Sequence, residues 1–246
     1  MPPLKAGGSI GRLDSRAPVM LGFGSLDVIA FLWFVAAWAG YGALMDWTAF
    51  GEGSLNRRMD DHRTAWTRHM LERDMRMLDG QIMGSLQNGT AFFASTSLLA
   101  IGGTFALLRA TEDVLHIFAT LPIGIETTRA VWEMKVIGLL IIFIYAFFKF
   151  SWSYRLFNYG AILMGATPEA RDAKKQSAKA AADKVARMTT LAGRHFNRGQ
   201  RAFFFALGYL GWFVSAWLFM GATAAVLVVI AIRQFGPTAH RVLGDR

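Results

Sequence analysis

MLGFGSLDVIAFLWFVAAWAGYGALM, residues 20–45, is an apolar run that carries a single charge, Asp27. At 1.5 Å of rise per residue, about 20 apolar residues cross a hydrocarbon layer about 30 Å thick. Three more runs follow: Ile82–Leu108, Val136–Phe150 with its Trp/Tyr tail, and Ala202–Ile232. Lipid offers no water to a bare backbone, so runs of this kind form helices. The chain therefore reads as an all-α, integral membrane four-helix bundle in a single domain, residues 1–246, with spans at about 20–45, 82–108, 132–156 and 202–232. Lys5, Arg12 and Arg16 precede the first run as in a signal sequence, and Ala37 and Ala39 imitate a cleavage site. A signal-peptide core is only about 7–15 residues, however, so the run reads as an uncleaved span.

Composition narrows the chemistry. The 246 residues contain no cysteine, which excludes disulfides, thiolate nucleophiles, iron–sulfur clusters and cysteine zinc sites. The formal charge is +9. On a membrane protein that excess points to basic loops facing anionic lipid, and no module with base-stacking aromatics supports nucleic-acid binding. All five histidines, His62, His69, His116, His195 and His240, fall outside the runs, so haem ligation within the membrane is not expected. No Walker motif, HExxH or nucleophile elbow occurs, and no cofactor is expected.

Basic residues alternate between loops. The segment Asp46–Gln81 holds six arginines and Ser151–Arg201 holds ten basic residues, against nine for both termini and the 109–135 loop together. The positive-inside rule places the two long loops in the cytoplasm and, for an even number of spans, both termini outside. Within the long loops, apolar spacing predicts an amphipathic helix over about 54–79, N-capped by Ser54 and running nearly into the second span through Gly80 and Gly84. Thr167-Pro168-Glu169 reads as the start of a second, Ala/Lys-rich helix over about 168–192, with Gly193 past its end. Residues Met1–Ala17 lack periodicity. The 109–135 stretch reads as a short interfacial helix and a turn at Pro122.

Three groups of residues carry a family resemblance. They are Trp66-Thr-Arg-His-Met70 with Arg73-Asp74-Met-Arg76-Met-Leu-Asp79-Gly-Gln81; Phe92-Phe93-Ala-Ser95-Thr-Ser97; and Lys149-Phe-Ser-Trp-Ser-Tyr-Arg155-Leu-Phe-Asn158 with Phe196-Asn197-Arg198-Gly199-Gln-Arg201. Together, over roughly Gly22–Phe219, they resemble the domain of unknown function 599 family of bacterial and plant membrane proteins. The resemblance implies a multi-span fold in a membrane, here the bacterial inner membrane, and brings no activity and no catalytic residues.

Charge inside lipid marks a site by default. Asp27 fits an ion or proton ligand, or more plainly a tie between helices. Lys149 fits snorkelling toward the surface or pairing with an acid on the second span. Asn88, Thr90, Ser95, Thr96, Ser97 and Thr104 run through the second span, as packing groups bonded to helix carbonyls or as a pore lining. Arg73, Asp74, Arg76, Asp79, Gln81, Arg155, Asn197, Arg198 and Arg201 are expected at one level, the cytoplasmic mouth. There they form a salt-bridge ring or a vestibule for an anion, a lipid headgroup or a phosphate.

These features lead first to a self-associating channel- or transporter-like protein for a small ion. The alternative is a non-catalytic accessory or scaffold subunit binding another membrane complex or anionic lipid. Expected partners are the lipid bilayer, anionic lipids and copies of the chain or a larger complex. Enzymatic chemistry is not expected, since Asp74 and Asp79 lie among arginines that suit pairing better than acid catalysis.

Overall fold

The computed structural model describes residues 22–120 and 127–236. Its elements are α1 (Ser25–Trp47), α2 (Leu55–Leu71), α3 (Met77–Arg109), α4 (Thr111–Thr120), α5 (Arg129–Gly165), α6 (Gln176–Tyr209) and α7 (Ala216–Phe235), with 3-10 turns at Ala49–Gly53, Ala170–Asp172 and Leu210–Phe213. Four of these, α1, α3, α5 and α7, are long and apolar enough to cross a membrane. The readings at Met1–Ala17 and Pro122 lie outside the described residues.

The helices build two storeys. α1 rises about 28 Å from Asp27 to Asp46, close to the thickness of a hydrocarbon layer. That interval is the apolar storey. Its core joins Phe34 of α1, Phe150 of α5, Phe205 and Tyr209 of α6, Trp212 of the following turn and Phe219 of α7. α3, α5 and α6 continue past the Asp46 level; Lys149 to Gly165 alone adds about 24 Å. With α2 they form a charged storey that has its own core of Met70, Met83, Leu156, Phe157, Met164, Val185 and Ala192. Beside it, Leu71 closes on Ala178 and Ala182. Ala178, Ala182, Ala186 and Ala192 of α6 are buried contacts, because small side chains let α2 and α5 come close.

Several expectations are corrected here. The fourth apolar run, Ala202–Ile232, is two helices. α6 ends at Tyr209, and Ser215 caps α7, its hydroxyl accepting from the Leu218 amide at 3.1 Å. Gly211 permits the turn, since a Cβ there would lie 3.0 Å from the Leu218 carbonyl oxygen. The Ala/Lys helix starts at Gln176 and passes straight through Gly193. That glycine is a seat: the Arg63 guanidinium occupies the space a Cβ would take, 2.8 Å away. α2 stops at Leu71, so it does not run on into α3. Gly80 and Gly84 lie inside α3, with nothing among the described residues within 4 Å of a Cβ.

The break after Tyr209 also changes the path of the chain. Trp212, at the end of α6, donates from Nε1 to Asp27 at 2.6 Å, and its carbonyl accepts from Lys135 Nζ at 2.8 Å. α6 has therefore returned to the end where α1 and α5 begin. α7 then runs parallel to α1 and finishes beside its far end, where Phe235 meets Phe50 at 4.6 Å and Gln234 accepts from the Asn56 amide. The apolar storey is traversed by α1, α3, α5, the last third of α6, and α7. The described start of α1 and the described end of α7 consequently lie at opposite ends of the apolar storey.

Candidate functional site

The joint between the storeys concentrates charge around a cavity. The chain leaves α1 at Trp47 and folds back through the Ala49–Gly53 turn, where Gly51 lies against the Met45 carbonyl with no room for a side chain. Ser54 then caps α2: its hydroxyl accepts from the Arg57 amide at 3.4 Å and donates to the Gly51 carbonyl at 2.7 Å. This sets Arg57 and Asp60, neighbours on one helix face, against α6. On α6, Arg194, Asn197, Arg198 and Arg201 fall on one face by the same periodicity.

Between these elements lies a cavity of about 270 Å³ whose lining includes Asp46, Glu52, Arg57, Asp60, Arg194, Asn197, Arg198 and Arg201. Asp46 accepts from Arg198 at 2.9 Å and from Arg201 at 3.0 and 3.1 Å. Asp60 accepts from Arg63 at 2.7 Å and, more loosely, from Arg194 at 3.4 Å. Arg57 and Glu52 form no ion pair among the described residues. Cations exceed carboxylates, and Asp46 and Asp60 already hold two guanidinium groups each. Beside the cavity, burial and then the charges of Lys149 and Arg198 push the His195 imidazole below its ordinary value. Its Nδ1 is buried without a hydrogen bond among the described residues.

The expected single-level ring is instead split between the joint and the far tip of the charged storey. Arg198, Arg201 and Asn197 line the joint cavity. Arg73 and Asp79 pair at 2.5 Å at the α2–α3 reversal, where Asp79 is fully buried and also accepts from Trp66 Nε1 at 2.7 Å. Arg76 donates to the Thr167 carbonyl at 2.9 Å and to that of Pro168, which ties the reversal to the loop after α5. Asp74 and Gln81 are exposed there. Arg155 lies between the two levels and donates to the Tyr159 hydroxyl at 2.6 Å. The tip and the joint separate because α3 starts about 24 Å before Phe93, the α3 residue level with Phe150 and Phe196.

The residues expected inside the membrane are also placed. Asp27 accepts from Trp212 and lies 3.8 Å from Lys135 Nζ, pinning three helices together. Lys149 makes no pair with an acid on α3; its ammonium lies over the Tyr145 ring at 5.1 Å. Thr90 and Ser97 are buried and donate to the Leu86 and Phe93 carbonyls of their own helix, and Thr104 donates likewise to Ile101. Their spacing of seven keeps them on the face packed against α5, while Ser95 is exposed on the opposite face. Sequence reasoning missed Asp46, Arg57, Asp60, Arg194, Lys135 and Trp212. The available signal was Asp46, the acid that closes the first apolar run.

The profile of a family described as a protein of unknown function, DUF599, matches residues 29–239. The chain belongs to the DUF599 family. No curated protein and no solved structure matched it. The family match spans both storeys and every residue of the joint cavity.

Proposed function

We propose that this DUF599 protein is a non-catalytic, membrane-anchored scaffold that holds an acidic partner protein on the cytoplasmic side. The observation that carries the reading is the second storey. Three helices extend well past the membrane layer to build a separately cored platform, which anchoring alone does not require. At the tip of that platform an open cavity of about 850 Å³ is lined by Arg68, Arg171, Lys174 and Lys179 with Glu72 and Asp183. Arg68 holds Asp183 loosely, at 3.9 Å, and Lys174 and Lys179 form no ion pair among the described residues. A patch of this kind steers and orients a partner of opposite charge. The basic content of this storey supports a cytoplasmic placement, and Arg233 at the end of α7 adds to the same side.

The ion-conducting reading finds less support, because Thr90, Ser97 and Thr104 face α5 and are bonded to their own helix. Conduction would have to use the opposite face of α3, with Ser95, at an axis between copies. Two measurements separate the readings. Purification from native membranes should yield a particle larger than the chain alone, and Lys174→Glu with Lys179→Glu should reduce it to the chain alone. A homogeneous wild-type particle without partner counts against the scaffold. Liposomes containing folded protein should show no ion flux above empty vesicles; robust flux would restore the conducting reading.

A further inference from the structure

We propose that the joint cavity is a binding site for the phosphate headgroup of an anionic glycerophospholipid. This goes beyond the scaffold reading and can hold without a protein partner. Three observations converge on it. The first is position. The cavity opens where α1 ends, beside Trp47, which is 83% exposed, and Phe50, which is 54% exposed. Large aromatic side chains left bare at a membrane edge sit at headgroup level.

The second is charge. Arg57, Arg194, Arg198 and Arg201 converge on a space lined by Asp46, Glu52 and Asp60. Asp46 is neutralised by Arg198 and Arg201, and Asp60 by Arg63, with Arg194 only 3.4 Å from its other oxygen. Arg57 is left with its donors uncommitted and Arg194 with a weak attachment. Guanidinium donors match phosphate oxygens in number and geometry. The Asn197 amide adds neutral hydrogen-bonding capacity.

The third is continuity. A second, smaller cavity shares Met45, Asn56, Asn197 and Arg201 with the first and reaches Tyr41, Phe204 and Ile230 in the apolar storey. A free anion would need only the first cavity. A polar head joined to an apolar tail uses both.

The test uses the full chain in mild detergent and native mass spectrometry to count retained lipid, with dioleoyl phosphatidylglycerol and dioleoyl phosphatidylcholine as probes. Phosphatidylglycerol is expected to be retained over phosphatidylcholine. Arg57→Gln should weaken its retention about fivefold, the scale of one charge-assisted contact at a partly exposed site. Glu52→Gln, which removes an unpaired carboxylate from the same cavity, should leave retention equal or stronger. A loss with Arg57→Gln but none with Glu52→Gln, at unchanged melting temperature, is not produced by a general structural defect. Equal retention of the two lipids, or no loss with Arg57→Gln, overturns the proposal. Complete displacement of the lipid by millimolar inorganic phosphate also overturns it, since the cavity would then recognise the free anion and not the amphiphile.

Discussion

Phe34 and Phe157 are equally buried, at 2% exposure each, yet different physics holds them in place. Phe34 lies in the apolar storey, among Phe205, Tyr209 and Phe219 at ring distances of 5.2–5.7 Å. Lipid tails are as apolar as its neighbours, so burial there gains packing and little transfer energy. Phe157 lies in the charged storey with Met70, Met83 and Val185, where the alternative is water and the full hydrophobic term applies. The apolar storey is shaped by what lipid tolerates and the charged storey by what water expels. The same helices, α3, α5 and α6, serve both.

The sharpest way to break this comparison is to truncate the two rings. Phe157→Ala should cost about 3–5 kcal/mol, as in a water-soluble core. Phe34→Ala should cost roughly 1–2 kcal/mol, because the transfer part is missing. Denaturant unfolding in a fixed detergent measures both, and equal losses would mean that the charged storey is not in water.

The buried carboxylates offer the next contrast. Asp79 is fully buried in the charged storey and holds Arg73 and Trp66, so Asp79→Ala leaves the indole donor and the guanidinium without their acceptor. A loss of about 2–3 kcal/mol is expected, below the value for a wholly buried pair because Arg73 is 38% exposed. Asp27 is partly exposed and its Lys135 contact is 3.8 Å long, so Asp27→Asn, which keeps an acceptor for Trp212, should cost under about 1 kcal/mol. The ordering of the two melting temperatures checks this.

A smaller effect is expected at Gly193, where a methyl would push Arg63 off its seat and disturb its pair with Asp60. Gly193→Ala gains helix propensity and loses that contact, for a net cost of about 1 kcal/mol.

The smallest effect is a pH dependence. The His195 imidazole is held below its ordinary value, about 6.5, by burial and by Lys149 and Arg198. As pH falls through 6.5, the unfolded chain takes up a proton that the folded one refuses. Stability therefore declines with acidification, and the decline ends once pH passes below the folded value. His195→Gln should flatten the melting-temperature profile between pH 7.5 and 5; an unchanged slope would assign the acid sensitivity to another group.

The apolar runs made α1, α3 and α5 legible, because a long oily stretch has few alternatives to a helix. They did not tell where each helix stops. α6 runs from the charged storey into the apolar one without a break, and Arg194, Arg198 and Arg201 on one of its faces hide the apolar last third from any hydropathy average. The turn at Gly211 and Ser215 is apolar on both sides, so Ala202–Ile232 reads as one span when it is the end of one helix and all of another. The same error placed Asp79 beside Arg201, since helix ends were equated with the membrane surface. Lys135 and Trp212 were invisible as partners of Asp27 because residues far apart in sequence meet only once α6 returns to the start of α1.

The five-fold traverse of the apolar storey is the claim on which the two-storey account rests, and the absence of cysteine makes it simple to test. Single substitutions Glu112→Cys, Lys179→Cys and Arg233→Cys, labelled in intact cells with a membrane-impermeant maleimide and again after lysis, report the side of each position. The expected result is that Glu112→Cys labels in intact cells, while Lys179→Cys and Arg233→Cys label only after lysis. Labelling of Arg233→Cys together with Glu112→Cys in intact cells would contradict the five-fold traverse and restore an even number of crossings.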